Sequence, residues 1–375
     1  YGASSDATAD AGTTVTVAGG NCYEYTRTGT DNVGNVTTYT TTVKVDTTAP
    51  STPSIAWSGL SANFFASGAT LYVKGGVATG SATATATTSD GESGVATTTF
   101  PTLGGGWAAI TSTSAALNRT YSLSSAVTGA ASQSVTATNN AGSTSSAGTF
   151  DVVVDSAGPT GGDMTINGSL ISSGATTFLN TTSLTVSALG SFSDAGSGLA
   201  SSTFTKRVGT LSANACSSYG ASSDATADAG TTVTVTGGSC YEYTRTGTDN
   251  VGNVTTYTTT VKVDTAAPVT GDVTINGALI STQSTTFLTS TSLVVSSLTS
   301  FTDAVSGVAS SSFTKRVGTL AANSCTSYGS SSSAAADAGT TVTVAGGNCY
   351  EYTYSAIDNA GNTRTYTATV KVDTS

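Results

Sequence analysis

The side chains best suited to chemistry in this sequence are five cysteines. Cys216 and Cys240 are 24 residues apart, and Cys325 and Cys349 have the same separation. Thiols at a repeated spacing form disulfides or ligate a metal, but two thiolates without histidine make a poor zinc site. We therefore predict two disulfides, Cys216 to Cys240 and Cys325 to Cys349. Cys22 corresponds to Cys240 in a shorter copy, so its partner is expected outside the chain.

Aspartate is the second residue type that could carry chemistry, because it recurs at fixed places. The recurrent positions are the ends of the repeats (Asp46, Asp155, Asp264, Asp373), a D-x-x-S-G turn (Asp90, Asp194, Asp303) and a D-N-x-G-N turn (Asp31, Asp249, Asp358). Converging carboxylates suit a hard cation such as Ca²⁺, which takes about six to eight oxygen ligands. Alternatively, aspartate only shapes the turns, although that explanation does not cover the repeat ends.

The remaining composition excludes several classes of function. The chain has no histidine, which removes the usual general base near neutral pH, and we predict that it is not an enzyme. A formal net charge of -10 opposes binding to nucleic acid or to an anionic membrane surface. No apolar stretch approaches the roughly 20 residues that span a bilayer. Neither nucleic acid nor membrane insertion is expected.

Internal repeats organise the chain. Residues 1–50 match residues 219–268 except at three pairs of positions, Ala18/Thr236, Asn21/Ser239 and Thr48/Ala266. A third and more diverged copy begins at Tyr328, which gives a period of about 109 residues. The elements that position the cysteines and aspartates must therefore recur with the same period.

Segment boundaries follow from the repeat ends, where Val-Asp precedes small residues and often proline, which cannot extend a strand ladder. These ends predict four segments, 1–50, 51–160, 161–268 and 269–375. The last three have the size of a seven-stranded sandwich, and the first has that of its C-terminal half. We expect a window cut from a longer array. The alternatives are an arbitrary boundary, or a subunit whose missing strands come from its neighbour in a polymer.

Low charge, abundant Thr and Val, and period-two alternation indicate an all-β fold. Within 161–268 the predicted strands are 183–189 (B), 202–208 (C), 231–235 (E), 240–248 (F) and 254–263 (G). Alternation directs Tyr241, Tyr243, Val261 and Val263 into the core, and it places Lys262 on the outer face within cross-strand reach of Glu242.

Segment 51–160 is a second subtype of the same fold, because it has no cysteine. It is rich in aromatic residues instead, namely Trp57, Phe64, Phe65, Phe100 and Trp107. These side chains are expected to fill a core that no disulfide supports, and a sugar-binding platform is the alternative.

The ordered recurrence of D-x-x-S-G-[VL]-A, D-N-x-G-N and a VDTTAP-type end resembles the bacterial immunoglobulin-like repeats of large adhesins and surface-fibre proteins. The resemblance covers essentially the whole chain. It implies tandem β-sandwich domains arranged as a rod, on the bacterial surface or secreted, often stiffened by calcium at the domain junctions. Partners are then other copies of the chain or further repeats, together with an unknown host or surface ligand.

The sandwich topology predicts which aspartates meet. The end of one domain lies beside the B-C and F-G loops of the next domain. Two junction sets result, Asp155, Asp163, Asp194 and Asp249, and Asp264, Asp272, Asp303 and Asp358. At the first junction only Asp46 and Asp90 remain, with Asn139 or Asn140 in the F-G turn. That junction should bind calcium weakly or not at all.

The functional expectation is a structural repeat region of a bacterial extracellular fibre, filament or stalk. Two alternatives remain open. One is a set of ligand-binding adhesin repeats, in which the cysteine-free segment could contact a carbohydrate or a protein. The other is a spacer in a larger secreted enzyme.

Overall fold

A computed structural model describes residues 1–110, 114, 115 and 117–375. The described chain is nearly all β, with four 3-10 helices at Thr8–Asp10, Ile171–Ser173, Thr226–Asp228 and Ile280–Thr282. It divides into two compact units. Unit 1 holds residues 1–159, 193–201 and 248–254, and unit 2 holds 160–192, 202–247 and 255–375. Among the described residues, no helix is long and apolar enough to cross a bilayer.

The strands up to residue 155 all belong to unit 1. In chain order they are β1 (Cys22–Thr30), β2 (Val36–Lys44), β3 (Ser54–Ser58), β4 (Phe64–Ser67), β5 (Thr70–Lys74), β6 (Ser81–Thr87), β7 (Val95–Thr99), β8 (Ser114–Ala115), β9 (Asn118–Ser122), β10 (Ala130–Asn139) and β11 (Gly148–Asp155).

Segment 161–268 follows with β12 (Thr160–Gly161), β13 (Thr165–Ile166), β14 (Ser169–Leu170), β15 (Thr176–Leu179), β16 (Ser183–Val186), β17 (Phe192–Ser193), β18 (Leu199–Ser212), β19 (Ala215–Ser217), β20 (Ser223–Asp224), β21 (Thr231–Thr234), β22 (Ser239–Asp249) and β23 (Val254–Val263).

Segment 269–375 repeats this order with β24 (Thr274–Ile275), β25 (Ala278–Leu279), β26 (Thr285–Leu288), β27 (Ser292–Val295), β28 (Val308–Ala321), β29 (Ser324–Thr326), β30 (Ser332–Ser333), β31 (Thr340–Thr343), β32 (Asn348–Asp358) and β33 (Thr363–Val372).

Strands β1 and β2 form an isolated antiparallel hairpin in unit 1. Its ladder runs from Cys22 opposite Lys44 to Thr30 opposite Val36. The connecting D-N-V-G-N turn has Gly34 at φ 94°, a left-handed value that glycine adopts without steric cost. Most side chains of the hairpin are exposed on both faces.

The cysteine-free segment is a sandwich of two sheets. One has the order β4-β5-β11-β10-β7-β8 and the other the order β3-β6-β9. Phe64, Phe100 and Trp107 are buried between them, and Trp57 is half-buried against Tyr121. The predicted use of these aromatic residues as core is confirmed. Phe65 differs, because it is only half-buried on its strand.

The two cysteine-containing segments share one architecture. In the first, sheet β14-β13-β16-β21 faces sheet β15-β23-β22-β18-β19, and in the second, β25-β24-β27-β31 faces β26-β33-β32-β28-β29. Alternation along β22 and β23 buries Tyr241, Tyr243, Val261 and Val263, as the period-two pattern predicts. The five predicted strands all exist, and β18 is longer at both ends than its predicted span.

Disulfides join Cys216 to Cys240 and Cys325 to Cys349, while the exposed Cys22 has a free thiol. Each bridge links the short last strand of its sheet to the central strand β22 or β32. The bridge therefore fastens a sheet edge that few main-chain hydrogen bonds hold.

Glu242 and Lys262 on the outer face have different partners and do not pair with each other. Glu242 forms an ion pair with Arg207, with 2.6 Å between Oε1 and Nε, and Lys262 instead donates to the carbonyl oxygen of Asn214. Arg207 lies on the neighbouring strand β18, and its guanidinium also lies over the ring of Tyr219. The stacked planar guanidinium is held at Glu242, so the flexible Lys262 side chain turns to another acceptor.

Candidate cation sites

Three predicted aspartates converge in unit 1. Asp155 ends strand β11, Asp194 lies in the turn after β17, and Asp249 ends strand β22. One carboxylate oxygen from each lies within 4.8 Å of those of the other two. Asp155 and Asp249 are buried, with 5% and 2% of their surface exposed. The end of segment 51–160 thus meets two turns of segment 161–268.

Local hydrogen bonds fix Asp249 at this place. Its Oδ1 accepts the backbone N–H groups of Val251 and Asn253, at 3.0 and 2.7 Å. Its Oδ2 accepts from the Asn253 side-chain amide at 2.7 Å. Gly252 at φ 88° closes the turn. The D-N-x-G-N motif therefore shapes the turn and aims the carboxylate in one arrangement.

The other two carboxylates are held in a similar way. Asp194 Oδ1 accepts the backbone N–H groups of Gly196 and Gly198 at 3.1 and 2.8 Å. Asp155 Oδ2 accepts the N–H of Ser197 at 2.7 Å. The serine of the D-x-x-S-G turn thus uses its main chain to bind the repeat end that precedes it.

The same arrangement occurs in unit 2 with Asp264, Asp303 and Asp358, whose carboxylate oxygens also lie within 4.8 Å of one another. Asp264 Oδ2 accepts the N–H of Ser306 at 3.0 Å. The Asn362 amide donates to the main-chain oxygen of Asp264 at 2.8 Å. The two clusters are therefore built from corresponding aspartates of successive repeats, and corresponding hydrogen bonds support them.

The final asparagine of D-N-x-G-N was not predicted to take part. Asn253 donates to the main-chain oxygen of Asp155 at 3.0 Å, as Asn362 does to that of Asp264. This amide ties the F-G turn to the repeat end. The signal was in the sequence, because asparagine stands last in the motif in both copies, whereas segment 51–160 has Ser143 there.

Asp163 and Asp272, which the sequence placed in the junction sets, are not members of the converging groups. Asp163 accepts from the N–H of Ser172 and pairs with its hydroxyl, at the start of a 3-10 helix. Asp272 makes the same contacts with Ser281. Burial opposes ionisation, but hydrogen bonds from Ser172 hold the pKa of Asp163 below its ordinary value. These two aspartates organise loops in their own segments.

The cluster aspartates form no ion pair with a basic side chain in the described part of the chain, although Lys74 Nζ donates to the main-chain oxygen of Gly252 in the turn that holds Asp249. Within the described part of the chain, the ion pairs are Lys206–Asp228, Arg207–Glu242, Lys315–Asp337 and Arg316–Glu351. None of them involves a cluster aspartate. An ionised carboxylate can only accept hydrogen bonds, and burying it without a compensating charge is costly. Each cluster therefore presents three acceptors that repel one another.

At the first junction an amide takes the place of the third carboxylate. Asn139 stands where the other repeats have Asp249 and Asp358. Its Nδ2 donates to Asp46 Oδ2 at 2.8 Å and to Asp90 Oδ2 at 3.3 Å. It also donates to the main-chain oxygen of Thr48 at 2.8 Å. A donor group thus lies among the acceptors, whereas the other two junctions have a third carboxylate in its place.

The residues present fit a hard divalent cation. Carboxylate and main-chain oxygens suit Ca²⁺ or Mg²⁺, whereas Zn²⁺ prefers nitrogen and sulfur ligands. The cluster in unit 1 would supply Asp155, Asp194 and Asp249 as ligands, and the one in unit 2 would supply Asp264, Asp303 and Asp358. At the first junction, Asp46 and Asp90 are already bridged by an amide.

No family model matches the chain, and no curated protein matches it. Three solved structures illustrate what the chain aligns with at low similarity. The N-terminal eight immunoglobulin domains of the Down Syndrome Cell Adhesion Molecule align at 12% identity and a TM-score of 0.34, over 95% of this chain and 40% of that one.

A solved chain from a study of host cell surface retention of a 1.5-MDa bacterial ice-binding adhesin aligns at 18% identity and a TM-score of 0.29, over 81% of this chain and 94% of that solved chain. A tetra-tandem repeat from the extending region of a large adhesion protein aligns at 15% identity and a TM-score of 0.29, over 94% of this chain and 82% of that one. At TM-scores this low the likenesses say nothing about what this chain binds.

Proposed function

We propose that this chain is a structural repeat region of a bacterial extracellular stalk or fibre, and that Ca²⁺ binds at its two three-aspartate clusters. The repeat supports the structural part, because one sandwich arrangement recurs in segments 161–268 and 269–375, with the same supporting contacts at the second and third junctions. The two disulfides suit an oxidising compartment outside the cytoplasm. The partners that follow are further repeats of the same kind or other copies of the chain.

The cation part rests on one comparison within the chain. At the first junction the amide of Asn139 supplies hydrogen-bond donors to two aspartates. At the other two junctions the equivalent residue is Asp249 or Asp358, which adds a third acceptor and a third negative charge. A cation at the centre of the three carboxylates would supply the attraction that the amide supplies at the first junction.

Calcium is the cation that these sites suit best. It accepts irregular sets of oxygen ligands at about 2.3 to 2.6 Å, whereas Mg²⁺ requires a near-ideal octahedron and keeps several waters. Each cluster combines side chains from three separate loops whose geometry is set by turn hydrogen bonds. Such a set is irregular, and it carries enough charge for a divalent ion.

The functional consequence is control of stiffness. The end of one sandwich and two turns of the next would share one coordination shell in the calcium-bound state, which fixes the angle between them. Without the ion, the three carboxylates repel one another and the junction loosens. The first junction, bridged by Asn139, should keep its geometry in either state.

Neither alternative function gains support from a particular contact in the described part of the chain. The aromatic residues that could have formed a sugar platform in segment 51–160 pack in its core, with Phe100 and Trp107 at 0% and 6% exposure. An adhesin tip or a catalytic domain elsewhere in the parent protein would leave the proposed role of these repeats unchanged.

Calcium titration and small-angle scattering test the proposal together. We expect calorimetry to give two Ca²⁺ ions per chain, and a chelator to increase the flexibility measured by scattering. An equal scattering profile with and without chelator, combined with no heat of calcium binding, would leave the aspartates as turn formers only. Binding without any change in flexibility would separate the metal sites from the stiffness role.

A further inference from the structure

A lysine side chain reaches the turn that holds the cluster aspartate Asp249. Lys74 ends strand β5, and its Nζ donates to the main-chain oxygen of Gly252 at 2.5 Å. The same peptide group carries the N–H of Asn253, which donates to Asp249 Oδ1 at 2.7 Å. These two bonds and the width of one peptide group place the ammonium within about 7.5 Å of that carboxylate oxygen. A positive charge therefore lies near the cluster, although Lys74 forms no ion pair among the described residues.

The corresponding place in unit 2 holds an amide. Lys74 lies opposite the repeat end Asp155 in the parallel pair of β5 and β11. By the register of the pair β15 and β23, Asn180 stands opposite the repeat end Asp264 in the same way. The two clusters thus share their aspartates but differ in the side chain that follows this strand.

Both side chains approach the same glycine of the D-N-x-G-N turn. A side-chain carbon placed on Gly252 would lie 3.9 Å from Lys74 Nζ. One placed on the equivalent Gly361 would lie 3.7 Å from Asn180 Nδ2. Corresponding turns therefore meet corresponding side chains, of which one is charged and the other is neutral.

A different basic side chain lies at the third junction. Arg364 Nε donates to the main-chain oxygen of Pro268 at 3.1 Å. That oxygen belongs neither to the D-N-x-G-N turn nor to the D-x-x-S-G turn, so this contact does not repeat the one that Lys74 makes. Because the two junctions differ in more than one charge, each site has to be compared with its own variants.

Both clusters also contain a buried hydroxyl that has no hydrogen-bond partner in the described part of the chain. Ser197 and Ser306 are 4% and 0% exposed, and their Oγ atoms are unpaired. Their N–H groups donate to the carboxylates of Asp155 and Asp264, and each hydroxyl is three covalent bonds from that nitrogen. Ser93 at the first junction is also unpaired, but it is half-buried and an amide already lies among the carboxylates there. An unpaired buried oxygen beside three carboxylates is a group that a cation can ligate.

The ammonium of Lys74 acts on the calcium-free and the calcium-bound cluster in opposite directions. Without the ion it attracts the three carboxylates and offsets part of their mutual repulsion. With the ion bound, two positive charges repel each other. At about 10 Å and the dielectric constant of water, this repulsion weakens calcium binding about fourfold, and a lower effective dielectric constant increases the factor. Low ionic strength preserves the effect, since the Debye length is about 30 Å at about 10 mM salt.

We propose that Lys74 lowers the calcium affinity of the site formed by Asp155, Asp194 and Asp249, and that its charge partly replaces the ion when calcium is absent. The inference rests on the proposed calcium function and adds the residue that sets the calcium concentration to which the second junction responds. Asn180 brings no such charge to the third junction. The second junction therefore needs more calcium than it would with a neutral residue, and it loosens less when calcium is removed.

Single-site backgrounds make the test specific. Asp303→Asn removes a ligand from the unit 2 site and Asp194→Asn removes one from the unit 1 site, while Oδ1 of asparagine still accepts the N–H bonds of each turn. In the Asp303→Asn background, Lys74→Gln removes the charge but keeps a donor for the Gly252 oxygen. Calorimetric titration at about 10 mM salt should show a calcium affinity raised at least about threefold. The reciprocal change Asn180→Lys in the Asp194→Asn background should lower the affinity by a similar factor.

Thermal unfolding separates the charge from a purely structural role. Lys74→Gln should lower the Tm in chelator and enlarge the rise in Tm that calcium produces. A lysine that only held the turn would change both calcium states equally and leave the affinity unchanged.

Two results would overturn the inference alone, with calcium still bound and the proposed function intact. One is an affinity that Lys74→Gln leaves unchanged or weakens. The other is an affinity that Asn180→Lys leaves unchanged, which decides the matter even if the Lys74 variant does not fold. Absence of calcium binding in both single-site backgrounds and in the parent chain would overturn the proposed function, and this inference with it.

Discussion

The calcium sites are tested most directly by replacing two polar residues of the second junction with the residues that the first junction has at the same places. The double variant Asp249→Asn, Asn253→Ser gives the F-G turn the polar residues of the first junction, where Asn139 and Ser143 stand. The amide introduced at position 249 is expected to bridge Asp155 and Asp194 as Asn139 bridges its two aspartates. The serine is needed because the Asn253 amide donates to the Asp249 oxygen that the first substitution replaces with a nitrogen.

The free energy of unfolding should change in opposite directions in the two calcium states. Removal of one of three charges within 4.8 Å abolishes two repulsive pairs. Each pair costs about 1 kcal/mol at the dielectric constant of water and about 3.5 kcal/mol at an effective value of about 20. Loss of the Asn253 side-chain hydrogen bonds costs about 1 to 2 kcal/mol. These terms together leave the calcium-free variant more stable than the parent by about 0 to 6 kcal/mol.

The assay is calorimetric unfolding with calcium and with chelator, together with a binding titration. The stoichiometry should fall from two ions to one, because Asp264, Asp303 and Asp358 are untouched. Calcium should no longer raise the free energy of unfolding through the altered junction. The reasoning fails if chelator destabilises parent and variant equally, or if the variant still binds two ions. It also fails if chelator has no effect on the parent, because bound calcium would then not stabilise the second junction.

Three further outcomes are expected. The reciprocal change Asn139→Asp, Ser143→Asn should raise the calcium stoichiometry from two to three, and an unchanged value in a titration would contradict the role of the amide. Cys240→Ser should lower the free energy of unfolding by about 3.5 kcal/mol, from the entropy of a loop with 24 residues of separation, as measured by denaturant titration against the disulfide-bonded parent. Arg245→Tyr should leave stability equal or raise it by about 1 to 2 kcal/mol, because the buried Arg245 has an unpaired Nε and Tyr354 fills this place in the next repeat. A loss above about 1 kcal/mol in the same titration would refute that reasoning.

Strand positions could be predicted from the sequence because the core faces follow a strict period of two. Tyr241 and Tyr243 alternate with Glu242, and only one register buries both rings. The meeting of Asp155 with Asp194 and Asp249 could also be predicted, because it follows from the order of strands in a sandwich. Both predictions depend on the order of strands in the sandwich, which the repeated sequence pattern indicates.

Contacts of side chains beyond the topology could not be predicted. Asp163 was placed at a junction by its nearness in sequence to a repeat end, but the hydroxyl and N–H of Ser172 bind it locally. Glu242 pairs with Arg207 and not with Lys262, because stacking on the ring of Tyr219 holds the Arg207 guanidinium in place. Asn139 donates to Asp46 because its amide nitrogen lies 2.8 Å from the carboxylate oxygen. The spacing of residues along the chain does not reveal such a distance.

The near identity of residues 1–50 and 219–268 has a consequence for how such a chain folds. Tandem domains with equal sequences can exchange strands during synthesis, and such misassembly is a typical failure of repeat proteins. Here the two matching halves are separated by segment 51–160, whose core uses aromatic residues and no disulfide. A strand of one subtype finds no matching core in the other. Segment 51–160 therefore keeps these two matching halves apart, whereas the adjacent segments 161–268 and 269–375 share one architecture and have no such spacer between them.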